Sequence, residues 1–181
     1  MTSPPNGAPR LESNASARAL LRLQFKCVHE FLDAVAEQLL SERELRHPSR
    51  PAPAAAVSYA HVVVTEDLAV NGVLGGGTPL ALSTWLGRTG LSELPPCLVA
   101  ADWNEWARRV RLDPARVPTY AQAVSASTDA YIGTLSEDAC DPVRRDGLGR
   151  LLGALVLTLC MRAGEIACLV VLPAVPGLRS R

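Results

Sequence analysis

The sequence predicts an all-α protein, a four-helix bundle with one long crossover connection, on three observations. Four long segments carry apolar residues at alternating three- and four-residue spacing. One long irregular stretch containing Pro95-Pro96 separates the second from the third. No alternating apolar–polar run competes as a strand, and no repeat of 20 to 50 residues is visible.

Residues 1–14 are rich in Pro, Ser, Asn and Gly and read as a disordered tail ahead of one domain, 15–181. The first helix is expected over Ala15 to Arg46, with Leu21, Phe25, Val28, Leu32, Val35 and Leu39 on one stripe. His47-Pro48 and the Pro/Ala segment through Pro53 end it. The second runs from about Ala54 to Leu74 and stops at Gly75-Gly76-Gly77, which reads as a helix stop rather than a phosphate cradle. The connection, Thr78 to Pro118, holds Trp85 and a short helix over Asp102 to Arg111. The third long helix is expected over Thr119 to Leu135, with Tyr120, Val124, Tyr131 and Leu135 in register. A polar stretch, Ser136 to Asp146, leads to the fourth, Leu148 to Leu172, ended by Pro173 and Pro176.

Charge and cysteine content narrow the function classes. Lys plus Arg and Asp plus Glu number 18 each, and no basic tract appears, so a nucleic-acid partner has no electrostatic support. Met1 to Pro9 contains no apolar secretion signal. The most apolar stretch, Leu151 to Met161, is short for a bilayer and is followed by Arg162 and Glu165, so no membrane partner is expected. Five cysteines without CxxC spacing suit reduced thiols in a cytoplasmic protein.

Chemistry-bearing residues concentrate on two helices. The second offers Tyr59, His61, Thr65, Glu66 and Asp67, with His61 in an apolar run and Thr65 one turn on. His61 reads either as a satisfied core histidine or as an acid/base group. The fourth places Thr158, Arg162, Glu165 and Leu169 on one stripe. Arg162 and Glu165 read either as a local ion pair at the edge of the bundle or as groups pointing into a pocket, where the guanidinium binds an anion. Cys160 reads as a buried structural cysteine. His29 and His47 read as surface residues, and spacing alone assembles no Ser-His-Asp or Cys-His arrangement.

The string Tyr120-Ala121-Gln122-Ala123-Val124 through Ser127-Thr128-Asp129-Ala130-Tyr131 resembles the third helix of the DinB-like superfamily. Arg162-Ala163-Gly164-Glu165-Ile166-Ala167 resembles the family's fourth helix, and His61 to Gly76 with Thr65-Glu66-Asp67 its second. Trp85, Arg88 and Thr89 in the connection extend the similarity. The resemblance implies a bundle with one crossover, often dimeric, whose relatives use a metal and low-molecular-weight thiols such as mycothiol or bacillithiol. It implies metal-ligand positions at His61, Thr158 and Arg162. A guanidinium cannot ligate a cation and a threonine hydroxyl is a poor substitute for imidazole or carboxylate, so no metal is expected.

The expectation is therefore a metal-independent enzyme on a small molecule, of isomerase, cyclase or transferase type. His61 would be the acid/base and Arg162 the anion or oxyanion stabiliser. Thr158, Thr65, Glu66, Glu165 and Tyr59 would line the substrate site, with Glu66 or Glu165 orienting either catalytic group. The alternatives are a thiol-dependent S-transferase and a non-catalytic binding or regulatory protein. A homodimer is compatible with the apolar helices.

Overall fold

The computed structural model describes residues 16–41, 54–96, 100–143 and 147–171. The expected tail over 1–14, His47 and the prolines that end the first and fourth helices lie outside those residues. Among the described residues the chain is all-α: its only β contact is an isolated bridge, Leu91 to Leu112. Helix α1 spans Ala17–Ser41, α2 Ala54–Asp67, α3 Ala100–Arg109, α4 Arg116–Thr134, α5 Glu137–Cys140 and α6 Leu148–Val171.

The stripe read from the sequence of α1 is the stripe that is buried: Leu21, Phe25, Val28, Leu32, Val35 and Leu39 all face the core. This helix packs against α4 on one side and α6 on the other, while α2 packs against α6 and α4. Ten of the residues of α2 are buried, from Ala55 through Val64 to Glu66 and Asp67. An element covered on most sides is built mainly of Ala and Val, and its Ser58, His61 and Thr65 fall on one half-buried face. The two carboxylates at its end must find partners in the interior.

Past Asp67 the chain widens into a π-helical turn, Leu68–Leu74, closed by the Gly75 N–H donating to Val70 O at 2.7 Å. Gly76, with φ of 63°, then turns the chain away in the left-handed region. The α-helical part therefore ends seven residues before the expected Leu74, although the helical path continues. Asp67 explains the arrangement. Its carboxylate accepts from the N–H groups of Leu80 and Ala81, each at 2.8 Å, at the start of the short 3-10 turn Leu80–Leu82. It also accepts from Asn71 Nδ2 at 2.8 Å and Tyr120 OH at 2.7 Å. A fully buried anion thus holds the connection against α4.

The remaining connection is pinned by the Leu91–Leu112 bridge and by Trp106, whose Nε1 donates to Glu93 O at 3.1 Å. Helix α4 begins at Arg116, three residues earlier than expected, because Pro118 sits inside its first turn, where a missing N–H costs nothing. Asp113 accepts from Ala115 N at 2.9 Å and caps it. The polar stretch expected to be irregular contains α5, capped by Ser136 Oγ accepting from Ala139 N at 3.1 Å. Gly149 lets α6 pass close to α5: a Cβ there would lie 2.4 Å from Cys140 O.

Candidate functional site

The chemistry expected between α2 and α6 is not assembled there. Arg162 donates from Nη1 to Glu165 Oε2 at 2.7 Å, and the two side chains are 52 % and 54 % exposed. The inward-pointing guanidinium is therefore corrected to a surface ion pair between residues three apart on one helix. Thr158 is exposed and donates to Ala154 O at 2.9 Å, a bond within its own helix. His61 is half-buried, packed edge-on against Trp103 with ring centroids 4.3 Å apart. Burial, and secondarily the charge of Arg162, lower its pKa below the usual histidine value. Thr65 is half-buried one turn further along α2, and Cys160, expected to be buried, is exposed on α6.

A divalent cation has no fit at the position the family resemblance implies. Thr158 has committed its proton to its own helix, and Arg162 brings a fixed positive charge already paired to Glu165. Among the described residues no group of three or more His, Cys, Asp or Glu side chains is placed to hold a metal.

A second constellation forms on the other side of α2. His29 of α1 presents Nε2 to both oxygens of Glu66, at 2.8 and 3.0 Å. Ser125 of α4 lies 2.7 Å from the opposite ring nitrogen, Nδ1. Thr128, one turn beyond Ser125, donates to Glu66 Oε1 at 2.6 Å. Glu66 is 3 % exposed and Thr128 is fully buried. His29 is thus the partly buried partner of a buried carboxylate, which corrects its assignment to the surface.

Proton bookkeeping selects one tautomer of the neutral ring. With the Glu66 carboxylate as acceptor, Nε2 carries the proton it donates and Nδ1 accepts from the Ser125 hydroxyl. The chain Ser125–His29–Glu66 has the order of a hydroxyl, an imidazole and an orienting carboxylate. It opens to solvent on the Ser125 side. A cleft of about 640 Å³ between α1 and α4 is lined by His29, Ser125, Gln122, Lys26, Arg22 and Asp129, among others. Glu66 does not line it. The carboxylate lies behind the ring.

Also behind the ring is a cavity of about 10 Å³, bordered by His29, Asp33, Tyr59, Glu66 and Ser125. The Tyr59 hydroxyl is buried and has no hydrogen-bond partner among the described residues. Desolvation, then the charges of Asp33 and Glu66, raise its pKa. Burial also raises that of Asp33, which lines both the cavity and the cleft. At the rim Arg22 grips Asp129 through two nitrogens at 2.7 and 2.6 Å, and Lys26 pairs with Glu30.

The structure thus separates the expected site residues into two groups. His61, Thr158, Arg162 and Glu165 lie at the α2–α6 side, while Glu66 and Tyr59 turn towards α1 and α4. The residues missed were His29 and Ser125. One signal was present: His29 lies four residues after Phe25 and three before Leu32, at the margin of the core stripe. Its pairing to Glu66, 37 residues on, is a tertiary fact that helical spacing does not carry.

Comparison with known proteins names no relative: no family model matches the chain, and no curated protein matches it.

Proposed function

We propose that the chain is a DinB-like four-helix bundle that works without the family metal and transfers protons on a small molecule bound in the α1–α4 cleft. His29 is the acid/base, Glu66 fixes its tautomer, and Ser125 links Nδ1 to the cleft. The bundle reading rests on four helices packed around one core, α1, α2, α4 and α6, and on the sequence strings in α2, α4 and α6. The chemical reading rests on one observation: an imidazole bonded on one side to a buried carboxylate and on the other to a hydroxyl lining a cleft.

Proton transfer, of the kind isomerases and cyclases use, is favoured over acyl transfer to Ser125. An acyl intermediate needs donors aimed at a developing oxyanion, each worth about 10²–10³ in rate. Ser125 lies in mid-helix, where backbone N–H groups are spent on the helix itself. Arg22 and Lys26 are held by carboxylates, leaving the Gln122 amide as the polar side chain nearest that role. Base catalysis needs only the ring and a bound substrate, and contributes roughly 10²–10⁴.

The test is exchange of carbon-bound hydrogen. Metal-stripped protein is incubated in D2O with a panel of 2-oxo acids, β-keto acids and enoates, and deuterium incorporation is followed by NMR. Incorporation is expected with at least one compound, and His29→Gln should abolish it while Arg162→Gln leaves it intact. Exchange that survives His29→Gln, dependence on Arg162, or no exchange across the panel would count against the proposal.

A second reading has its own observation. His29, Glu66 and Thr128 tie α1, α2 and α4 together, so the network also serves as a structural clamp in a non-catalytic protein. On that reading His29→Gln lowers the melting temperature and changes no reaction.

A further inference from the structure

Tyr59, Val63 and Glu66 follow one face of α2 at four- and three-residue spacing, and His29 and Asp33 stand one turn apart on α1. Together they border the small cavity behind the His29 ring. Tyr59 is 1 % exposed, and its hydroxyl has no hydrogen-bond partner among the described residues. A buried hydroxyl left without a partner is costly, and native interiors satisfy such groups with protein or with ordered water. The cavity measures about 10 Å³, close to the roughly 10–15 Å³ that one water needs. Cavities with purely apolar walls stay dry; here Asp33 and Glu66 share the wall with Leu32, Val63 and Val124.

The polar groups match one water atom by atom. Besides desolvation, the charges of Asp33 and Glu66 both act on the Tyr59 hydroxyl. A water accepts the Tyr59 proton and turns one of its own hydrogens to each carboxylate. That makes about three hydrogen bonds, the usual complement of a buried water. Glu66 has room for its share: a carboxylate offers about four lone-pair sites, and His29 and Thr128 do not fill them. A cation of similar size would repel the Tyr59 proton and leave it without an acceptor.

We infer that the cavity is a binding site for a single buried water, anchored by Tyr59, that bridges α1 to α2 and braces Glu66 from behind. Tyr59 is thereby a positioning residue, acting on His29 through the water and the carboxylate. The hydrogen bond from the water disperses charge on Glu66 and holds the carboxylate facing the ring. The water site stands without the chemistry assigned to the cleft, while its bearing on catalysis rests on that reading. Neither needs a substrate to be tested, so the two can fail separately.

The experiment compares the full-length wild type with Tyr59→Phe and Asp33→Ala, the second at an exposed position. Oxygen-17 relaxation dispersion of the solvent detects long-lived water molecules and is blind to exchanging protein hydrogens. Each variant should lose the contribution of one such water. Tyr59→Phe should also lower the melting temperature, because it removes a satisfied hydroxyl; an orphaned one would make the same change stabilising. The His29 Nε2 proton should move downfield in both variants, as Glu66, short of a donor, accepts more strongly from the ring. Packing alone would not move that signal. A higher melting temperature in Tyr59→Phe, no loss of long-lived water, or His29 signals that follow sodium concentration would overturn the water site. An unmoved Nε2 proton would overturn the positioning role.

Discussion

Asp67 and Glu66 are adjacent, both buried and both engaged, yet they do different work. Asp67 accepts four hydrogen bonds, two from backbone N–H groups of the connection, so its role is to hold chain. Asp67→Asn replaces one acceptor oxygen with a donor and faces it against existing donors. It should cost about 1–3 kcal/mol, read from denaturant unfolding. Thr128→Val removes one donor from Glu66 and should cost a similar ~1–3 kcal/mol, with His29 still in place. His61 makes a pH prediction. Its folded pKa lies below the usual 6.5, first through burial and then through Arg162. Below that value the unfolded chain takes up a proton that the folded ring refuses. Its contribution to stability is therefore complete above about pH 6.5 and lost as pH falls towards the folded value. His61→Phe should flatten the fall in melting temperature between pH 7 and pH 5; an unchanged slope would contradict the assignment.

At the scale of elements, what the sequence disclosed was what periodicity can carry. The α1 stripe, the Gly75–Gly77 stop and the position of α6 follow from apolar spacing and backbone freedom, which are local. Helix α5 went unread because four residues carry no period, and its signal is confined to the Ser136 cap and the acidic first turn, Glu137 and Asp138. The π-helical turn after Asp67 went unread because its cause is the reach of Asp67 to Leu80 and Ala81. The failure at Arg162 has the same root. Spacing put it on a stripe with Thr158 and Glu165, but did not tell which side of α6 meets the core. Glycines separate the elements that touch from those that do not. Gly149→Ala forces a Cβ to 2.4 Å from Cys140 O and should destabilise the α5–α6 contact by several kcal/mol. Gly153, in the same helix, meets nothing within 4 Å, so Gly153→Ala should stabilise by about 1 kcal/mol. Thermal melts of the two variants should move in opposite directions.

For the whole molecule, the helices divide their faces between two tasks. The inner faces make the core, and the α1–α4 seam carries the His29 network and its cleft. The α2–α6 seam, where the sequence resemblance implied a metal, is occupied by His61 against Trp103 and by a surface ion pair. The proposed chemistry turns on the tautomer of one ring, which long-range proton–nitrogen NMR of the labelled protein reads directly. In the neutral His29 ring the proton is expected on Nε2 and Nδ1 is bare, a pattern lost in Glu66→Gln. A proton on Nδ1 instead would leave Nε2 and an ionised Glu66 with no hydrogen between them, and would contradict the arrangement on which the proposed chemistry stands.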